Sequence, residues 1–421
     1  MSHRRKDKRA YVIAGASASA LAAAAVLLPY ANASQEQQPR PGPATAKAAA
    51  KLGAALAAEN GARTAGWYLD GKGGKLVMNV TDEETAERVR ADGATARVVP
   101  NSKAELTDVS DTLAGDASVP GTAWSVDPRT NKVVVLADRT VGSDEWASLT
   151  KTAEGMGGMV TMKRSSGEFK PLHGGDQSGG TGEEEGGAGE EEGGAGEEEG
   201  GAGEEQAGGA GAAAGNEVAG GGAIFAAGTR CSLGFNVTVD GAPAFLTAGH
   251  CGNAAEKWTS DEAGQEPLGT VADSKFPESD FALLNYDDPQ AQPPSTVDLQ
   301  DGTTQEITKA AEAAVGMEVQ RSGSTTGLSD GTVTGLDATV NYGNGDIVNG
   351  LIQTDVCAEP GDSGGAMFAE DAAVGLTSGG SGDCTQGGET FFQPVTDALE
   401  ATGAEIGAGG GDAGGGEEAG Q

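Results

Sequence analysis

Three side-chain types are scarce in this chain of 421 residues, and each scarcity closes off a class of function. Basic residues are outnumbered 27 to 63 by acidic ones, for a formal net charge of −36. Such a chain offers no positive face to a nucleic-acid backbone or an anionic membrane surface, so neither is expected as a partner. Cysteine is limited to Cys231, Cys251, Cys357 and Cys384, with no CxxC pair and a single histidine near them. Zinc is therefore not expected, nor any other metal or cofactor, whereas two disulfides are. Of the three possible connectivities, pairing sequence neighbours closes two loops of about 20 to 30 residues, each stabilising by about 3 kcal/mol through loop entropy. Histidine occurs only as His3, His173 and His250.

The basic residues are also unevenly placed. Arg4, Arg5, Lys6, Lys8 and Arg9 precede an Ala-rich apolar run from Tyr11 to Leu28, which Ala31-Asn32-Ala33 closes. That pattern describes a secretory signal over residues 1–33 with cleavage after Ala33. A membrane anchor is the rival, because the run reaches the lower length limit of a span, but alanine dominates it and a cleavage site ends it. A secreted, disulfide-bonded protein follows.

The length suits two domains plus connecting segments. From about Lys47 to Leu172 two periods alternate. KLVMNV (75–80) reads as a strand, and Thr81-Asp82-Glu83-Glu84 as a capping box for the helix that follows through Val89. A strand over 94–99, a helix over 104–113, a hairpin about the turn 127–131, a helix over 144–153 and the strand MVTMKR continue the pattern. Residues 34–172 therefore form an α+β domain, in which no catalytic constellation is visible. Residues 173–217 contain TGEEEGGAGEEEGGAGEEEGGAG (181–203), a repeat that cannot bury enough apolar surface to order itself and reads as a solvated linker. After Val218 come short apolar runs such as AFLTA, DFALLNY and TFFQPV between turn residues, with a helix signal only over 394–401. This texture is all-β, a sandwich or barrel over 218–402, and a Gly- and Glu-rich tail expected to be disordered follows over 403–421.

Three segments of the β domain carry chemistry: LTAGHCG with His250, PESDFALL with Asp280, and CAEPGDSGGAMF with Ser363. A serine hydroxyl needs a neighbouring base to attack a carbonyl, and the base needs an orienting group. His3 falls in the signal and His173 in the linker, so His250 is the one histidine available as that base. Gly361-Asp362-Ser363 can aim the N–H groups of Gly361 and Ser363 at one point, as a developing oxyanion requires. In a chain with 71 glycines each motif alone also reads as an ordinary turn, surface acid or packing histidine; the order His, Asp, Ser and the adjoining cysteines weigh against that reading.

TAGHC, SDFALL and GDSGG resemble the chymotrypsin-like serine proteases. RCSLGFNV, RSGSTTG, VCAEPGDSGG, GLTSGGSG and TFFQPVT are similar to the streptogrisin branch, related to α-lytic protease, and cover essentially all of 218–401. TAGWYLD and VPGTAWSVDP resemble that branch's pro-region. The resemblance implies a double six-stranded β-barrel with the site at the seam, preceded by a pro-region that assists folding and inhibits the enzyme in cis. It implies a His250, Asp280 and Ser363 triad, disulfides Cys231–Cys251 and Cys357–Cys384, and an internal ion pair between Arg321 and Asp362. The substrate pocket would be walled by Ala358, Glu359, Pro360 and Gly361 on one side and by Thr377, Ser378, Gly379 and Gly380 on the other. These small groups predict cutting after large apolar residues such as Phe, Tyr or Leu; a monomeric endopeptidase acting on protein and peptide substrates is expected. A trypsin-like pocket would carry an acid six positions before the nucleophile, where Cys357 stands and Glu359 is the nearest acid; glutamate-cutting relatives carry a histidine where this chain has Phe392. A glutamyl endopeptidase and a non-catalytic secreted binding protein of the same fold are the alternatives. Leu172 ends the pro-like sequence and Val218-Ala219-Gly220-Gly221 opens the mature-like one, so the acidic repeat is an insertion at a processing junction.

Overall fold

The computed structural model describes residues 42–71, 73–116, 118–172, 174, 218–382 and 384–407. The expected signal, all of the acidic linker except Gly174, and the tail beyond residue 407 lie outside the described residues.

The first domain has two parts, each with its own core. Helix α1 (Ala46–Asn60), strands β1 (Thr64–Asp70) and β2 (Lys75–Val80), helix α2 (Glu83–Ala91) and strand β3 (Thr95–Val98) form a three-stranded sheet, order β1-β2-β3, around Leu56, Leu69, Met78 and Val89. Helix α3 (Lys103–Asp116), strands β4 (Thr122–Asp127) and β5 (Lys132–Ala137), helix α4 (Ser143–Glu154) and strand β6 (Val160–Arg164) enclose a second core about Leu106, Trp124, Val135 and Leu149. The cap of α2 differs from the expected box. Asp82, not Thr81, is the N-cap and accepts from the Thr85 N–H at 2.8 Å, while the Thr81 hydroxyl is drawn to the Arg63 carbonyl at 3.3 Å. The domain ends in β7, the two residues Lys170–Pro171.

The second domain opens with β8 (Ala223–Ala226), β9 (Thr229–Ser232), β10 (Phe235–Val239) and β11 (Ala242–Thr247). The short helix α5 (Gly249–Ala254), which the sequence reading did not expect, precedes β12 (Lys257–Thr259), β13 (Pro267–Lys275) and β14 (Phe281–Tyr286). These make one sheet of seven strands, order β10-β11-β14-β13-β12-β8-β9, one strand more than the expected six, because the N-terminal segment pairs as its own hairpin β8–β9. A small hairpin, β15 (Thr296–Asp298) and β16 (Thr304–Glu306), and the short β17 (Lys309–Ala310) lead into β18 (Glu318–Gly323), β19 (Gly327–Asn341), β20 (Ile347–Thr354), β21 (Ala366–Ala369), β22 (Ala372–Gly380), β23 (Thr390–Pro394) and helix α6 (Val395–Thr402). Strands β18-β21-β22-β23-β20-β19 run in that order and β18 pairs β19 again, which closes a six-stranded barrel. The tail starts later than expected: Thr238 and Glu405 exchange backbone hydrogen bonds of 2.9 and 2.8 Å, which fixes the chain past Gly403.

The two domains share a sheet. Strand β4 pairs antiparallel with β19, Leu336 opposite Val126 and Asn341 opposite Thr122, so β4-β5-β6 continues the closed barrel outward. Ala123, Val134, Leu136 and Phe169 of the first domain join Ala338, Val340, Val348, Leu351 and Phe391 of the second in one buried cluster. Phe169 meets Phe391 edge-on with ring centroids 5.5 Å apart. Ser165 Oγ, also from the first domain, lies 2.8 Å from Glu389 Oε2 and 2.9 Å from Ser381 Oγ. This junction lays the end of the first domain, β7, against β22, with Pro171 opposite Gly379 and Lys170 opposite Gly380.

Candidate active site

The residues singled out in the sequence come from three turns. His250 sits in α5, just past the end of β11, and the Cys231–Cys251 disulfide ties that turn to β9. Asp280 immediately precedes β14, and its N–H donates to Gln393 Oε1 at 2.8 Å. Ser363 lies in the 361–365 turn, which is locked by Gly364 N–H to Thr377 O at 2.7 Å and Ser232 N–H to Ser363 O at 2.8 Å. Gly364 has φ +82°, and a Cβ there would lie 2.0 Å from Thr247 Oγ1, so only glycine suits this position.

These turns bring the three side chains into line. His250 Nδ1 lies 3.0 and 2.9 Å from Oδ1 and Oδ2 of Asp280, and Nε2 lies 2.7 Å from Ser363 Oγ. A carboxylate accepts and does not donate, so Nδ1 carries the proton and Nε2 turns its lone pair to the serine. Asp280 and Ser363 are fully buried, and His250 is 9 % exposed. Asp280 Oδ1 also accepts from the His250 backbone N–H at 2.9 Å, and Oδ2 from Ser378 Oγ at 2.5 Å. Ser378, expected only as a pocket wall, thus also holds the aspartate. Behind it the Tyr342 hydroxyl is 3.1 Å from Ser378 Oγ; burial pushes that phenol up, which keeps it neutral beside the acid.

The expected ion pair is present: Arg321 Nη1 lies 3.2 Å from Asp362 Oδ2, with both side chains fully buried. Burial works to lower the Arg321 pKa, and the charges of Asp362 and Glu359 oppose it. The Asp362 carboxylate also accepts from the N–H groups of Thr325, Thr326 and Glu359 at 2.9, 3.1 and 2.9 Å. The residue beside the nucleophile is therefore anchored on several sides. The second disulfide, Cys357–Cys384, fastens the same loop, and Glu359 Oε1 accepts from the Cys384 N–H at 3.1 Å. His250, Cys231 and Cys251 group closely, but both sulfurs are spent in the disulfide, so this trio is not a metal centre.

The cleft between the two expected walls holds Leu172. Its N–H donates to Ser378 O at 3.3 Å, and its carbonyl oxygen accepts from Gly361 N–H at 2.6 Å and from Ser363 N–H at 3.4 Å. The two donors named for the oxyanion thus converge on one carbonyl, with the Ser363 hydroxyl on the same residue. Gly361 has φ +104°, which turns its N–H inward. Beyond that carbonyl Gly174 pairs with Arg230, N–H to O at 2.9 Å and back at 2.7 Å. The main chain is thus held at Leu172 and again at Gly174. Gln393 and Tyr342 escaped the sequence reading; Gln393 sits in the quoted TFFQPVT, but nothing in that string shows that its side chain reaches Asp280.

The α-lytic protease pro N-terminal family matches residues 37–99, the α-lytic protease prodomain family residues 101–157, and the trypsin family residues 236–401. Streptogrisin-D of Streptomyces griseus is 50% identical over 361 residues, covering 86% of this chain and 80% of that protein. Streptogrisin-A of the same organism is 42% identical over 72% of this chain and 83% of its own. Glutamyl endopeptidase 2, also from Streptomyces griseus, is 46% identical over 44% of this chain and 97% of its own. Among solved structures, Cellulomonas bogoriensis chymotrypsin is 44% identical and covers 45% of this chain and 98% of that one, with a TM-score of 0.40. With this identity across both domains, the chain belongs to the streptogrisin and α-lytic protease family of trypsin-like serine proteases that carry a pro-domain.

Proposed function

We propose that this protein is a secreted serine endopeptidase, made as a zymogen, that cuts after large apolar residues and is blocked by its own pro-region. The observation that carries the reading is Leu172, seated between both pocket walls with its carbonyl oxygen on the Gly361 and Ser363 N–H groups. In the reaction Ser363 Oγ attacks the scissile carbonyl while His250 Nε2 takes its proton. Asp280 stabilises the imidazolium, and the two N–H groups bind the oxyanion. The imidazolium then protonates the leaving amine, and water, activated by the same histidine, hydrolyses the acyl-enzyme.

The likeness to a glutamyl endopeptidase makes glutamate specificity the rival. A carboxylate side chain in a closed pocket needs a positive or donating partner there. The walls 358–361 and 377–380 carry no basic residue, and Phe392 is buried in an apolar cluster with Val319, Ile352 and Met367. Lysine specificity lacks an acid, because Glu359 turns to the Cys384 N–H and Cys357 is in a disulfide.

Peptides with Phe, Leu, Glu or Lys before the cut separate these readings. Phe and Leu are expected to exceed Glu and Lys in kcat/KM by about two orders of magnitude, since an unpaired charge must be desolvated in the pocket. A Glu peptide cut as fast as a Phe peptide reverses the assignment of specificity, and a processed protein that cuts none of the four is a binding protein.

A further inference from the structure

The proposed reading leaves the leaving-group side of the cleft unexplained, and one side chain there stands out. Between Val218 and Glu400 the chain has five basic residues against 27 acidic ones. Arg321 is consumed by Asp362. Arg230 is different: its backbone pairs with Gly174, two residues beyond the Leu172 carbonyl, and its half-buried side chain donates to Thr325, Nη2 to Oγ1 at 2.7 Å. Among the described residues no carboxylate pairs with it, and its buried Nε has no hydrogen-bond partner.

Gly361 connects this guanidinium to the substrate. A Cβ on Gly361 would lie 2.8 Å from Arg230 Nη2 and 2.9 Å from Nε, so the guanidinium lies against that glycine. A Cβ on residue 174 would face Gly361 Cα at 3.2 Å. A side chain carried at the position of Gly174 is therefore directed along Gly361, within reach of an unpaired, partly desolvated cation. Guanidinium forks bind carboxylates through paired N–H donors, and an orphaned Nε is the donor such a ligand would satisfy.

We propose that Arg230 determines specificity on the leaving-group side, selecting peptides with Asp or Glu two residues after the cut bond. The inference rests on the serine-endopeptidase reading above. It also runs against the domain's overall field, which is negative and disfavours acidic peptides on encounter.

The test uses the processed enzyme and quenched peptides with Leu before the cut, Ala after it, and Glu, Gln or Lys in the next position. A second set varies the same three residues two positions further on, to report the general field. In wild type, Glu is expected to exceed Gln about tenfold in kcat/KM at the near position, as for a partly exposed charge-assisted hydrogen bond. At the far position Glu gains nothing. Arg230→Met, counted by active-site titration with a serine-directed phosphonate, brings the near-position ratio to one or below; Arg230→Lys, used if the Met variant yields no titratable sites, lowers it to about threefold. A wild-type ratio of one or less overturns the inference, as does a ratio unchanged in the variant that is measured. Failure to cut any Leu peptide strikes the underlying reading instead.

Discussion

Ser363→Ala is expected to lower kcat by about 10⁶, because serine and histidine act as one unit and either loss removes the acyl-enzyme route. Ser363 Oγ lies 2.7 Å from His250 Nε2 and Ser363 is fully buried, so the substitution removes the hydroxyl that this ring nitrogen contacts. The same variant should accumulate with the pro-region still joined at Leu172, whose carbonyl oxygen lies on the Gly361 and Ser363 N–H groups. Alanine keeps the backbone N–H and leaves the oxyanion donors in place. A processed Ser363→Ala protein in a protease-free host, or residual kcat within tenfold of wild type, contradicts the assignment.

Deleting the pro-region is expected to abolish recovery of active enzyme. Strand β4 covers part of β19, and Ala123, Val134, Leu136 and Phe169 complete a core with Val340, Val348, Leu351 and Phe391. Without them the barrel must form its non-local pairings with that apolar face exposed, a slow and aggregation-prone step. If the folding transition state uses about 3 kcal/mol of the shared contact, removal slows folding about a hundredfold. Residues 173–421 refolded from denaturant should therefore give inactive protein, and adding residues 34–172 in trans should restore activity. Prompt refolding to full activity without the pro-region rules out a folding role.

The two domains differ in how much of them could be read from the sequence. KLVMNV, the hairpin about 127–131 and the helices near 104–113 and 144–153 carry local periodicity and turn residues, and they stand within a few residues of where the periods put them. Helix α1 did not, because AKAAAKLGAALAAEN is mostly alanine and carries little apolar contrast. In the protease domain, His250 stood out as the one histidine of the β domain, and Asp280 and Ser363 because their segments follow it in the order His, Asp, Ser. Arg321 did too, being one of few cations. The pairing of β4 with β19 and the seat of Leu172 join residues far apart in sequence, and no local period encodes them. Arg230 was visible only as a scarce positive charge; its meaning needed the neighbouring Gly361 and Gly174.

The placement of Leu172 also bears on the acidic repeat. Val218, where a mature-like sequence begins, is tied into the barrel: its carbonyl accepts from Asn236 Nδ2 at 2.9 Å, and Gly220 and Gly221 donate to Thr296 and Leu233 at 2.9 and 2.7 Å. Bringing Glu217 to Ser363 would break these bonds and place a carboxylate in a pocket without a cation. Cutting after Leu172 requires neither and leaves the repeat on the active enzyme. The N-terminal sequence of the active enzyme tests this most directly: the account predicts a start at His173, with intact mass including the repeat, and a start at Val218 contradicts it.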